Sequence, residues 1–211
     1  MPDEIVDGAA PAHYFSQRPG GSSGRTVVPV VLAGRDLEVV TAGGVFSGDR
    51  IDLGTRVLLR EAPVPPTTGD LLDLGCGWGP IALTLGLLSP QATVWAVDVN
   101  ERALELTAEN ARRAGLTRLR AVAPDEVPGD VRFDAIWSNP PIRVGKDALH
   151  VLLLQWLPRL RPGASAHLVV QRNLGADSLH AWLAAALEGR ATVERAGSAK
   201  GYRVLRVAPQ A

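Results

Sequence analysis

Leu71-Leu72-Asp73-Leu74-Gly75-Cys76-Gly77-Trp78-Gly79-Pro80 reads as a short apolar strand that enters a glycine-rich turn and leaves it as a helix, with Pro80 suited to the first helical turn. A turn of this kind lets a ligand approach the backbone closely. Dinucleotide sites place glycines at the first, third and sixth positions of G-x-G-x-x-G, whereas here Gly75, Gly77 and Gly79 alternate and Pro80 takes the sixth place. That spacing disfavours a nicotinamide dinucleotide. Asp73 adds a carboxylate that would repel a pyrophosphate and attract an ammonium group, so the ligand implied is cationic and nucleoside-bearing.

Outward from this turn, strand-like and helix-like apolar runs alternate. Strands are expected at 71–74, 93–97, 118–122, 133–137, 166–171 and 203–207, and helices at 80–88, 101–114, 148–160 and 178–187. This alternation predicts an α/β fold with a mostly parallel sheet covered on both faces. Asn100 is placed to cap the helix at 101, and Gly115 to end it. Upstream, the runs 26–32 and 37–41 flank Ala33-Gly34-Arg35-Asp36 and predict a β-hairpin with Pro29 on an edge. A short helix is expected at 52–60, followed by a proline-rich connector. The chain thus divides into an N-terminal arm (1–24) carrying Pro19-Gly20-Gly21-Ser22-Ser23-Gly24, a small hairpin-plus-helix module (25–69) and a main domain (70–211).

With 211 residues, 46% hydrophobic and 21% charged, the chain suits one well-buried α/β domain with a small appendage. No apolar run approaches the ~18 residues of a membrane span, and Met1-Pro2-Asp3-Glu4 does not open a secretory signal, so a cytoplasmic protein is expected. The single cysteine, Cys76, allows no internal disulfide, and the four histidines lack metal-ligand spacing, so no metal is expected. Formal charge is zero, which means that a nucleic-acid substrate requires a local basic face. Arg143, Lys146, Arg172, Lys200 and Arg203 are the candidates for such a rim.

Three further positions carry candidate chemistry. Asp98 ends the second strand of the alternating pattern, where a ribose-binding carboxylate belongs, or else it supplies charge at a helix N-terminus. Asp125, after the third strand, suits either contact with an adenine amino group or a solvated turn. Asn139-Pro140-Pro141-Ile142 follows the fourth strand. It is either a simple chain break or a pair of oxygens, from the Asn139 side chain and the Pro140 carbonyl, that hold a planar amino group.

In combination, Gly44-Val45-Phe46-Ser47, Ile51-Asp52-Leu53-Gly54-Thr55, the glycine turn, Val97-Asp98-Val99-Asn100 and Asn139-Pro140-Pro141-Ile142 resemble class I S-adenosylmethionine-dependent methyltransferases of the small methyltransferase family. Similarity is strongest to the bacterial small-subunit rRNA guanine-N2 methyltransferases. Lys200-Gly201-Tyr202-Arg203-Val204 resembles that family's closing hairpin, so the likeness covers most of the chain. The resemblance implies a Rossmann-like fold: a seven-stranded sheet whose final strand is antiparallel, preceded by the hairpin. It implies S-adenosyl-L-methionine as cofactor and S-adenosyl-L-homocysteine as product. Cofactor contacts are expected from Asp73, Gly75, Cys76, Gly77, Gly79, Asp98, Val99, Asp125 and Asn139, with Phe46, Ser47, Asp52, Gly54 and Thr55 as a lid. Asn139, Pro140, Pro141 and Ile142 are expected to face the transferred methyl group.

An RNA substrate, ribosomal in the nearest relatives of the pattern, follows from the same resemblance, with monomer and homodimer both open. An aromatic residue commonly follows the two prolines, and Ile142 departs from that. The departure leaves Phe46, Tyr14, Phe15 or Trp78 as partners for a base that must be unpaired or flipped out. Two alternatives keep the fold: methylation of a protein glutamine amide, and a catalytically idle module that binds cofactor and recognises RNA or protein.

Overall fold

Leu72, Leu74, Trp95 and Val97 pack on one side of a sheet, and Leu71, Val94 and Ala96 on the other, the period-two alternation of strands buried on both faces. The computed structural model describes residues 24–45 and 50–210. The roles expected of Tyr14, Phe15, Phe46 and Ser47 lie outside the described residues.

In chain order the elements are β1 (Arg25–Leu32), β2 (Arg35–Ala42), α1 (Leu53–Glu61), β3 (Asp70–Leu74), α2 (Pro80–Leu88), β4 (Thr93–Val97), α3 (Glu101–Arg113), β5 (Leu119–Val122), β6 (Phe133–Ser138), α4 (Lys146–Trp156), β7 (Leu160–Gln171), α5 (Ala176–Ala186), β8 (Ala191–Ala199) and β9 (Tyr202–Pro209). The seven-stranded sheet has the order β5-β4-β3-β6-β7-β9-β8, and β1 and β2 form a separate hairpin. The five strands from β5 to β7 are parallel, and β9 runs antiparallel to both β7 and β8. This is the Rossmann-like arrangement expected, with the N-terminal hairpin in front of it. Among the described residues no helix is long and apolar enough to cross a membrane.

Helices cover both faces. Leu149, Leu153 and Trp156 of α4 join Leu179 and Leu183 of α5 over Leu72, Ile136, Leu168 and Leu205. On the other face Val57 and Leu58 of α1 and Ile81, Ala82 and Leu85 of α2 cover Leu71, Ala96, Val169 and Val204. The hairpin has its own core, in which Leu32, Val39 and Val40 meet Trp78, Leu83, Ala103 and Leu106. Both hairpin tips pair a left-handed non-glycine with a left-handed glycine, Ala33-Gly34 (φ 49 and 73) and Lys200-Gly201 (φ 48 and 80), the backbone of a type I′ turn.

Three elements depart from the sequence reading by more than two residues. Strand β8 was implied by the seven-stranded sheet and its closing hairpin but given no range; it is an edge strand, half exposed and bulged between Arg195 and Gly197. Strand β7 begins six residues early, at Leu160, because Pro162-Gly163 sits in an irregular stretch of pairing with β6 rather than in a turn. Helix α4 stops at Trp156 and continues as a 3-10 turn, Leu157–Arg159, since Pro158 has no N–H to extend the α-helical ladder.

Candidate active site

A cleft opens at the carboxyl ends of β3 and β6, where the strand order reverses and α/β sheets bind ligands. Asp52, Thr55, Gly75, Cys76, Gly77, Trp78, Pro80, Ile81 and Asn139 line it. Most of these residues come from segments singled out in the sequence, brought together from three distant parts of the chain.

The glycine turn is tied down on its far side. The Gly75 and Cys76 N–H groups both donate to the Val97 carbonyl at the end of β4, at 2.8 and 3.1 Å. Gly77 N–H donates to Asp98 Oδ2 at 3.0 Å, and the Thr107 hydroxyl of α3 donates to the Gly77 carbonyl at 2.9 Å. Gly75, Gly77 and Gly79 have φ of 79°, 59° and 97°, which side chains other than glycine rarely adopt. A Cβ on Gly79 would also lie 2.9 Å from Thr107 Oγ1. At Gly75 and Gly77 the nearest atoms, Pro141 Cδ and Val45 Cγ1, would be 3.9 and 4.0 Å away, so the backbone there is not crowded.

Asp98 holds this turn. Its Oδ2 accepts from Gly77 and its Oδ1 accepts from Asn100 N–H at 3.0 Å, leaving each oxygen a further lone pair. Asn100 caps α3 by accepting from Arg102 N–H at 3.0 Å, while Val99 is exposed beside it. Asp73 lies beneath the turn and does not line the cleft. It is fully buried, and its Oδ2 accepts from Ala82 N–H at 2.9 Å, satisfying one of the N–H groups that the first turn of α2 leaves open. Its Oδ1 has no hydrogen-bond partner among the described residues. Burial pushes the Asp73 carboxyl up to about 8, opposed by the Ala82 bond and reinforced by the negative charge of Asp98. Burial likewise raises the Cys76 thiol, with Asp73 and Asp98 adding to the shift, so this cysteine is an inert part of the turn.

Across the cleft, Asn139 Nδ2 donates to Asp52 Oδ2 at 2.8 Å and to Thr55 Oγ1 at 3.1 Å. Asp52 Oδ2 also accepts from Thr55 N–H at 3.1 Å and so caps α1. An ionised carboxylate only accepts, so the Asn139 amide nitrogen must face it and Oδ1 is turned away as an acceptor. After Asn139 the chain makes an inverse γ-turn about Pro141 (φ −75°, ψ 74°) in which Ile142 N–H donates to the Pro140 carbonyl at 2.8 Å. That bond uses one of two lone pairs on the oxygen expected to meet an amino group. Pro140 is buried and Pro141 exposed, and Ile142 packs against the core. The Ser138 hydroxyl, donating to the Leu74 carbonyl at 2.6 Å, locks β6 to β3 directly below the motif.

Residues 36–206 match the family model of the methyltransferase small domain. The chain belongs to the methyltransferase small domain family. This small-domain methyltransferase is 32% identical over 197 residues to the uncharacterized protein YbxB of Bacillus subtilis, covering 92% of this chain and 96% of that one. To ribosomal RNA small subunit methyltransferase C of Hahella chejuensis it is 40% identical over 147 residues, covering 65% of this chain and 41% of that one. Its fold matches that of T. Thermophilus 16S rRNA N2 G1207 methyltransferase, solved with AdoMet and guanosine, with a TM-score of 0.77 and 23% identity over 92% of this chain and 52% of the other. The chain therefore spans only about half of those two rRNA methyltransferases, 41% and 52%, and nearly all of YbxB.

Two candidates have surroundings that do not suit the roles expected of them in this small-domain methyltransferase. Asp125 is exposed on a 3-10 turn, Pro124–Glu126, after β5. Trp78 contributes to the cleft wall but is buried among Val40, Leu83 and Leu106. Two residues of consequence were given no role at the site in the sequence reading. Asn110, buried on α3, accepts from Val40 N–H at 2.6 Å and donates to the Val40 and Trp78 carbonyls at 2.9 and 3.0 Å. Its signal was a polar residue three positions after Thr107 on the face that carries Ala103 and Leu106. Tyr202 opens β9 and lies against Gly54, where a Cβ would come within 2.8 Å of its ring; burial and the Asp52 charge raise its hydroxyl pKa.

Proposed function

We propose that the chain methylates the exocyclic N2 amine of a guanine in RNA, with ribosomal RNA as the substrate class, using S-adenosyl-L-methionine. The observation that carries this reading is the Asn139 amide, held by Asp52 and Thr55 with its oxygen turned outward as an acceptor. A guanine N2 presents two N–H donors in one plane and a lone pair delocalised into the ring, so the protein must orient it rather than deprotonate it.

The residues present fit the cofactor. The glycine backbone at Gly75 and Gly77 leaves room for close approach, the remaining lone pairs of Asp98 suit ribose hydroxyls, and Oδ1 of Asp73 is an orphaned buried polar atom under the turn. When bound, S-adenosyl-L-methionine supplies a sulfonium-activated methyl group, so that forming the N–C bond breaks the C–S bond and leaves S-adenosyl-L-homocysteine. Asn139 Oδ1 and the second lone pair of the Pro140 carbonyl accept the two amine N–H bonds. They aim the lone pair at the methyl and stabilise positive charge as it develops on nitrogen. The displaced proton leaves to water, so no side-chain base is required.

The test incubates the protein with methyl-labelled cofactor against total RNA, assembled ribosomal subunits and total protein, followed by nucleoside and amino-acid analysis. The expected product is N2-methylguanosine. Label confined to protein glutamine would replace this reading with amide methylation, and label in another nucleoside would displace guanine N2.

A further inference from the structure

The register of the sheet carries the closing hairpin up to the acceptor side of the cleft. Ser138, the last residue of β6, pairs with Leu168, so β7 continues three residues further, to Gln171, which pairs with Tyr202 of β9. Arg172 N–H then donates to the Gly201 carbonyl at 2.8 Å, locking the exit of β7 to the β8–β9 tip. Tyr202 crowds Gly54 from one side: a Cβ there would meet Tyr202 Cε1 at 2.8 Å and Asp52 Oδ2 at 2.9 Å. That same Asp52 oxygen holds Asn139. The tip and the acceptor clamp are therefore one continuous wall.

Around this wall the exposed charge is mostly positive although the chain as a whole is neutral. Lys200 at the tip and Arg172 beside it are exposed, as are Arg143 and Lys146 immediately after the Asn139–Ile142 motif. None of these four side chains makes an ion pair among the described residues, and of the neighbouring acids Asp177 is already paired with Arg195 and Arg203. Asp147, in the first turn of α4, and Asp52, within the wall itself, offset only part of the positive charge. Arg203, grouped with them in the sequence reading, is buried and belongs to the Asp177 pair rather than to the rim.

We propose that Arg143, Lys146, Arg172 and Lys200 grip the phosphates on either side of the target nucleotide, so that the closing hairpin is an RNA-docking element. The proposal rests on the reading of the chain as an RNA methyltransferase. Exposed cations on long side chains at a groove rim contact backbone phosphates rather than base edges and fix register without reading sequence. They flank a clamp that takes a single base, which calls for single-stranded or flipped-out RNA.

The experiment measures binding of a single-stranded, guanosine-containing oligoribonucleotide across a salt series for the wild type, for Arg172→Gln with Lys200→Gln, and for Arg112→Gln with Arg118→Gln. The last pair lies at the opposite edge of the sheet and serves as a control. Loss of two phosphate contacts should flatten the slope of log affinity against log salt by about 1.4 and weaken binding about tenfold at moderate salt. Cofactor affinity measured by calorimetry should not change. An equal slope and affinity in the rim variant, or an equal loss in the control, would overturn the rim while leaving an RNA-methylating wild type intact. Failure of the wild type to bind or methylate any RNA removes both the rim and the reading beneath it.

Discussion

Under the proposed function, a single hydrogen-bonded amide divides the site into a part that binds and a part that orients. Asn139 Oδ1 acts only if the amide cannot flip, and Asp52 prevents the flip because a carboxylate oxygen cannot donate. Asp52→Asn keeps a good helix cap on α1 yet lets the two amides pair in either sense. Turnover should fall about tenfold while thermal stability and cofactor affinity hold; an unchanged rate would show that amide orientation is not limiting. Asn139→Ala removes the acceptor itself, and turnover should drop by ~10²-fold or more with calorimetric cofactor binding retained. Asp98 is the converse case. Its bond to Gly77 shapes the turn, so Asp98→Ala should weaken cofactor binding roughly tenfold or more, with a smaller effect on the rate at saturation. Equal affinity in that variant would confine Asp98 to its bonds with Gly77 and Asn100.

At the scale of elements, the hairpin β1–β2 is held by one buried side chain more than by its surface charges. Arg25 pairs with Glu109 at 2.7 Å, but such exposed pairs contribute about 0–1 kcal/mol. Asn110 makes three buried bonds to Val40 and Trp78, and stranding those backbone groups costs about 1–3 kcal/mol for each one left unsatisfied. Asn110→Ala should therefore abolish hydrogen-exchange protection across β2 first, while β3 to β7 remain protected; uniform loss through both would mean that the hairpin and sheet open as one unit. The sequence revealed β3, β4 and β6 because strands buried on both faces are unbroken apolar runs. It concealed β8, whose residues Glu194, Arg195 and Gly197 on an exposed edge leave no such trace. The glycine turn and the Asn139 motif were legible as local patterns. The tie between Asp52 and Asn139, and the approach of Tyr202 to Gly54, were not, because they join segments far apart in the chain through side chains that show no shared periodicity.

Across the whole molecule, two buried ionisable groups act on stability in opposite directions. Burial lowers the His167 imidazole to about 4, with the charge of Arg206 adding to the effect and Glu194 opposing it, whereas burial raises Asp73 to about 8. For His167 the unfolded chain binds the extra proton between about pH 4 and 6.5, so its contribution to stability is present above 6.5 and is lost as pH falls through that window. For Asp73 the native state binds the extra proton, so its contribution is complete below about pH 4 and is lost as pH rises toward 8. Between pH 4 and 6.5 the two slopes cancel. Above 6.5 only Asp73 remains, and stability should decline by about 1.4 kcal/mol per pH unit at most until its carboxyl ionises. Thermal melts of the cofactor-free protein should thus be level in mildly acidic buffer and fall from pH 6.5 to 8. Asp73→Asn, which still offers an acceptor to Ala82 but does not titrate, should remove that fall and leave a rise between pH 4 and 6.5. A wild-type melting temperature that stays constant from pH 6.5 to 8 would mean that Asp73 is ionised in the fold, its Oδ1 satisfied by a cation or by water.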